Sequence, residues 1–174
     1  AGIGKAGWSM AVPKGAGLEI NIVDKITGGG ALIYDEAAKR LSGAFKLQLG
    51  DSFVVSALGI YQRPTGTGPQ SWLVLASLVA PQSGPGFTMQ GVGLLFGSNR
   101  TTDPEAFLAG IATGDLDAVL FPDDPIGKAS QYLAALERLF PTKQDATVLG
   151  ISVQFGALEG RITFDLGVII DIQH

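Results

Sequence analysis

The sequence predicts an α+β fold: an antiparallel β meander, an insert of two to three helices at about residues 103–140 packed on the sheet, and a closing C-terminal hairpin. Three observations carry this. Short apolar or alternating runs recur from Leu18 to Phe96, parted by loops too short for crossover helices. Aspartate and proline signals then frame segments with a helical apolar period. Two further alternating runs follow and end the chain.

Residues 1–17 are rich in Gly and Ala, carry Trp8 and Met10, and show weak periodicity. Leu18 to Ile22 alternates apolar and polar, as a half-buried strand should. Ala31–Tyr34 and Leu41–Leu49 flank the polar loop Asp35–Arg40 and read as a hairpin. Gly50-Asp51 marks a turn. Phe53–Tyr61 and Trp72–Val79, on either side of the Arg63–Pro69 loop, are apolar on both faces, the pattern of central strands covered on each side. Pro81–Gly86 breaks the run, and Phe87–Phe96 is the next strand.

The helical insert has the clearest punctuation. Asp103 is a good N-cap, Pro104 suits the first helical position, and Glu105 sits where the helix dipole favours an anion. Phe107, Leu108 and Ile111 form one apolar face, and Gly114 is a natural stop. Asp115 is the expected cap of a second short segment ended by Pro122, and Asp124-Pro125 repeats the cap-and-proline signature. Ala129, Tyr132, Leu133, Leu136, Leu139 and Phe140 then follow the 3.6-residue period until Pro141. Val148–Phe155 and Arg161–Ile172 alternate, joined by the loop Gly156–Gly160.

Length bounds the chain to a single domain, 1–174, with room for a substantial core. Apolar residues make up 46% and charged ones 16%, against roughly 25% charged in an average domain; mean hydropathy is +0.31. So little charge leaves a surface suited to contact with a partner. With a start at Ala1 and an end straight out of a strand-like run, the chain reads as a fragment of a longer multidomain protein. The 25 glycines, roughly twice average usage, fall between and inside β-like runs, where they let backbones approach closely.

Several chemistries are disfavoured. The 12 basic residues are scattered and net charge is -4, so no phosphate-neutralising stripe exists and nucleic acid is not an expected partner. There is no Cys, hence no thiolate metal site or Cys nucleophile. The single His is His174 at the C-terminus, and no G-x-S-x-G elbow occurs, which argues against a Ser-His-Asp system. Gly91, Gly93 and Gly97 do not space as a dinucleotide fingerprint. Asp115, Asp117, Asp123 and Asp124 lack the ligand alternation of an EF-hand loop, and cap roles account for Asp115 and Asp124, so no metal and no cofactor are expected. Glu19, Glu105, Glu137 and Glu159 could supply an acid–base pair only if two acidic side chains converged in one cleft; solvated faces explain each of them. No residue is assigned a catalytic role.

Asn99-Arg100-Thr101 is the one polar cluster between two apolar elements. One reading makes it a ligand or partner contact. The favoured one pairs Arg100 with a neighbour such as Asp103 while Asn99 or Thr102 satisfies free backbone groups. The triplet is also an N-glycosylation sequon, relevant only to a secreted eukaryotic chain.

Phe87-Thr88-Met89-Gln90-Gly91-Val92-Gly93-Leu94-Leu95-Phe96-Gly97-Ser98-Asn99-Arg100-Thr101, followed by Leu116-Asp117-Ala118-Val119-Leu120-Phe121-Pro122-Asp123-Asp124-Pro125, resembles an uncharacterised family of large bacterial and fungal proteins, catalogued as domain of unknown function six-six-zero-three. The resemblance covers residues 15–172 and is most specific at Asn-Arg-Thr and Leu-Phe-Pro-Asp-Asp-Pro. It implies one piece of a much longer polypeptide and brings no activity or catalytic residues with it. Leu95-Phe96 departs from the second Gly-rich step of that pattern, which puts the local strand packing in question.

The expected function is a non-enzymatic structural or interaction module of a larger β-rich protein. Its partners would be other domains of the parent chain or a separate protein, with sheet edges available for self-association. The alternative is a carrier or sensor of an apolar, lipid-like ligand held between sheet and helix, with Phe53–Tyr61 and Trp72–Val79 lining the cavity. Membrane insertion as a β-barrel is disfavoured, because the helical insert needs a soluble-type core.

Overall fold

The structure, a computed structural model, describes residues 16–22, 26–50, 53–64, 66, 68–84, 86–157 and 162–173. Eight strands form one antiparallel sheet in sequence order: β1 (Ala16–Ile22), β2 (Ile26–Asp35), β3 (Arg40–Leu49), β4 (Phe53–Gln62), β5 (Ser71–Gly84), β6 (Phe87–Arg100), β7 (Thr142–Ala157) and β8 (Ile162–Gln173). Three helices stand between β6 and β7: α1 (Pro104–Thr113), α2 (Asp115–Leu120) and α3 (Ala129–Leu139). The expected meander, helical insert and C-terminal hairpin are all present. Trp8 and Met10, the turn at Asp51, and Leu158 to Arg161 in the last hairpin loop lie outside the described residues.

Several strands run longer than their apolar patterns. β2 begins at Ile26 and takes in Gly28, Gly29 and Gly30, and β7 begins directly after Pro141 rather than at Val148. β5 continues through Pro81 to Gly84, with a register shift between Val79 and Gln82 where the pairing with β6 is interrupted. A bulge there lets the strand carry a proline that the ladder would otherwise exclude. These segments pair because their neighbours offer backbone groups, which composition does not record.

Period-two alternation sorts the side chains onto two faces. On one face Ala44, Leu58, Ile60, Leu73, Leu75, Leu95 and Val148 are buried, and the helices pack there. Register places Ile60 beside Leu73, Leu58 beside Leu75, and Leu75 beside Leu95. Leu95 is accommodated by Gly150 opposite, whose absent side chain leaves it room. The departure from the Gly-rich pattern therefore fills the core at that point.

α3 is the main covering element. Ala129, Tyr132, Leu133, Leu136 and Leu139 are all buried, as their spacing predicts, and the helix packs over β3 and β4. Arg40 on β3 pairs with Glu137 of α3 and with Asp35 at 3.3 Å, tying the helix to the sheet. α1 is different. Asp103 caps it as expected, accepting from the Glu105 and Ala106 amides at 3.0 Å each, and Gly114 closes it with φ +77°. However, Leu108 and Ile111, expected on its buried face, are 69% and 64% exposed. Phe107 is the residue that turns inward, edge-on to Phe140 at 5.2 Å.

Of the other two cap assignments, that of Asp115 needs correction and that of Asp124 holds for the turn before α3. Asp115 is the first residue of α2, whose N-cap position is Gly114, and its carboxylate pairs with Arg138 at 3.2 Å. Asp124 accepts from the Gly127 amide at 2.9 Å, capping the turn before α3; the position preceding α3 itself is Lys128, with no side-chain cap. At α2 the helix begins one residue earlier than the Asp-based signal suggests, because Gly114 supplies the left-handed corner; at α3 it begins later, at Ala129, after a turn in which Pro125 is buried.

β4 and β5 also differ from expectation. They are apolar on both faces but covered on only one. Trp72 and Val74 point to the uncovered side and are exposed.

Candidate functional site

The uncovered face is apolar across most of its width. From β3 to β8 it presents Leu41, Leu49, Phe53, Trp72, Val74, Leu94, Phe96, Leu149, Ile151, Phe164, Leu166, Val168 and Ile170, all substantially exposed. Leu166 reaches 66% and Leu94 and Val168 59%. Cross-strand pairing stacks them in rows: Val74, Phe96, Leu149 and Ile170 form one, and Ala76, Leu94, Ile151 and Val168 the next. These rows line a shallow trough of about 390 Å³ with almost no polar surface. Aromatic pairs stiffen the face, with Trp72 and Phe96 at 4.5 Å and Phe155 and Phe164 stacked at 5.3 Å.

A second feature lies on the helix side. α3 fills the space over β3 and β4, but over β6–β8 the sheet carries Gly93, Gly150, Ser152 and Gly167, which leave a gap under α1 and α2. The gap is a cleft of about 560 Å³, within the size range of ligand sites. Leu95, Phe107, Ile111, Leu116, Leu120 and Ile169 give it apolar walls, and Asp117, Asp165 and Asp171 enter from α2 and β8. Among the described residues no Lys, Arg, Asn or Gln side chain lines it.

The carboxylates differ in state. Asp171 is pushed up by burial, but hydrogen bonds outweigh this and hold it below the usual carboxylate value. Its Oδ2 accepts from the Thr101 hydroxyl (2.6 Å), the Thr102 amide (2.8 Å) and the Thr102 hydroxyl (2.9 Å). Asp165 is held above the usual value, first by burial and then by the facing charge of Asp117, with Gln154 pulling it part of the way back. Oδ1 of Asp165, Oδ1 of Asp171 and Oγ of Ser152 are buried without a hydrogen-bond partner among the described residues. Thus two acidic side chains, Asp117 and Asp165, do converge in one cleft; neither belongs to the four glutamates singled out from sequence.

Asn99-Arg100-Thr101 forms the strand-to-helix corner, and its bonds are internal. Asn99 adopts φ 52°, donates to the Gln70 carbonyl at 2.9 Å and accepts from the Asp145 amide at 2.9 Å. It also borders a polar hollow of about 280 Å³ with Arg63 and Lys143. Arg100 is fully buried and does not pair with Asp103; its Nη1 donates to the Phe140 carbonyl at 3.0 Å. Burial pulls its pKa down from the ordinary value, with Glu137 opposing and Arg40 adding to the effect. Thr101 bonds Asp171 and so fixes one end of the cleft floor.

The acidic residues near α2 and α3 are engaged separately. Asp123 is held well below the usual range by the Tyr132 hydroxyl, then by Lys128 at 2.9 Å, while Asp115 serves Arg138 and Asp124 serves Gly127. Among the described residues no group of three or more His, Cys, Asp or Glu side chains is placed to hold a metal ion. Among the described residues no helix is long and apolar enough to cross a membrane. Sequence reasoning passed over Asp165, Asp171 and Ser152. The available signal was that Asp165, Gly167, Ile169 and Asp171 alternate along one strand, placing two carboxylates on one face.

No curated protein and no solved structure matches this chain. The model for the Family of unknown function (DUF6603) matches residues 2–174, spanning the meander, the helical insert and the closing hairpin together, and the chain belongs to that family.

Proposed function

We propose that the domain is a non-enzymatic interaction module whose partner packs on the open face of the sheet. The observation that carries this is the continuous apolar surface from Leu41 to Ile170. The six strands from β3 to β8, about 4.8 Å apart and about ten residues long, give an apolar face of roughly 900 Å². A stable interface needs about 800 Å² per partner, and exposed apolar patches of this extent mark contact surfaces. A second apolar sheet, from another domain or another copy, fits it at about 10 Å face to face.

Turnover is the weaker reading of the Asp117–Asp165 pair. The cleft offers carboxylates and aliphatic walls but, among the described residues, no basic or amide side chain to stabilise developing negative charge or to hold a polyhydroxylated substrate. The test of the interaction reading is sedimentation velocity of the domain over a hundredfold concentration range. Association is expected, and Leu94→Lys with Val168→Lys is expected to abolish it. A wild-type domain that stays monomeric and binds no apolar dye would overturn it.

A second reading, carriage of an apolar ligand, is favoured by the cleft under α1 and α2. Its floor draws on β5–β8, so of the two strands expected to line it, Trp72–Val79 contributes Leu75 and Phe53–Tyr61 does not take part.

A further inference from the structure

We propose that the cleft between α1–α2 and β6–β8 binds a long-chain primary amine, its ammonium on Asp165 and Asp117 and its alkyl chain along Leu95, Phe107, Leu116 and Ile169. The inference rests on the ligand-carrying reading and names the class of ligand. Size and walls call for an apolar body of drug-like dimensions, since the cleft measures about 560 Å³ and is mostly aliphatic. The polar groups call for a donor. Among the described residues every charged side chain lining the cleft is a carboxylate, and three acidic groups in one cleft focus a negative potential that rejects fatty-acid anions.

The end of the cleft that takes the head group follows from hydrogen-bond capacity. Asp171 has Oδ2 saturated by three donors from Thr101 and Thr102 and lies within the field of Lys143. Asp165 takes only the Gln154 side chain as a donor to its charged form, and Asp117 hydrogen-bonds it from the facing wall. Oδ1 of Asp165, like Oδ1 of Asp171, is buried without a partner among the described residues, but only Asp165 has a second carboxylate, Asp117, set against it across the cleft, so a cation there would sit between two carboxylates. An ammonium supplies three donors and the missing charge. Gly167 on the floor completes the picture. Nothing but ordinary van der Waals contact surrounds its Cβ direction, so the space above it is open to a chain and equally open to a substituted side chain.

The test is isothermal titration calorimetry with octylamine, octanol and octanoate, on the wild type and on Asp165→Asn, Gly167→Leu and Leu94→Lys. Octylamine is expected to bind the wild type at least tenfold more tightly than octanoate. Asp165→Asn is expected to remove the preference for amine over acid while retaining octanol. Gly167→Leu, filling the floor, is expected to abolish binding of all three. Leu94→Lys, on the opposite face, is expected to leave the three affinities unchanged; a loss there would place the bound chain on the open face and overturn the proposal. Octanoate binding as well as octylamine would overturn the amine head while leaving a carrier of apolar chains. Absence of octanol binding to the wild type would overturn the carrier reading with it. Far-ultraviolet circular dichroism of each variant separates loss of binding from loss of fold, and should Gly167→Leu not fold, Gly167→Val at the same site supplies the filling test.

Discussion

Arg100 shows how much a single buried side chain can decide. It carries a charge into the core, makes one hydrogen bond, to the Phe140 carbonyl, and leaves Nε and Nη2 without partners. Arg100→Ala is expected to cost about 3 kcal/mol, from the void and the stranded carbonyl. Arg100→Met keeps the volume and removes an incompletely paired charge, so it is expected to cost at least about 1 kcal/mol less; urea midpoints of the two variants measure the difference. Asp165 gives a pH signature. Its folded-state pKa lies above the unfolded value of 3.8, so the ionised side chain weighs against the fold. That cost is absent below pH 3.8 and grows as pH rises through the folded pKa. Asp165→Asn is therefore expected to be more stable than wild type at about pH 7 and equal to it near pH 3, by urea denaturation at each pH. At this scale sequence reading succeeded where chemistry is local and failed where it is not. Asp103 serves amides two and three residues away and was recognisable. Arg100 reaches a carbonyl forty residues on, and Asp171 serves threonines seventy residues back, distances that no local pattern records.

The elements divide the same way. α3 was readable because its stripe is long and buries as a unit. α1 was misread because Leu108 and Ile111 sit at helical spacing but look onto solvent and the cleft rim. The contrast is measurable. Leu136→Ala, at a fully buried position, is expected to cost about 2–5 kcal/mol, whereas Leu108→Ala is expected to stay within about 0.5 kcal/mol. Equal losses would mean that α1 buries the face its periodicity suggests. Strand existence was legible from alternation. Strand ends were not, since β2, β5 and β7 extend through Gly, Pro and polar residues wherever a neighbouring ladder remains to be satisfied. β4 and β5 are central in the sheet as expected, but the expected cover on both their faces failed for a related reason. An apolar second face signals burial only if something covers it.

At the scale of the whole molecule, the described residues form two layers, the sheet and the helices on one of its faces. One face of the sheet holds the helices, and the other holds a surface as apolar as a core. Raising the charge of that surface is expected to raise solubility without loss of fold, so Leu94→Lys with Val168→Lys should melt within about 2 °C of wild type while losing apolar-dye fluorescence. A large fall in melting temperature would mean that the face contributes to the fold of the isolated domain. The order of the sheet has a temporal consequence as well. Each strand pairs with the one made just before it, so hairpins can close in step with synthesis, with little loop entropy to overcome. The covering helices come only after the sixth strand. At about 5–20 residues per second, the stretch from Arg100 to Leu139 takes roughly 2–8 s to emerge, and for that interval the first six strands have no helices to cover either of their faces, which makes those seconds the period when this chain most needs a chaperone.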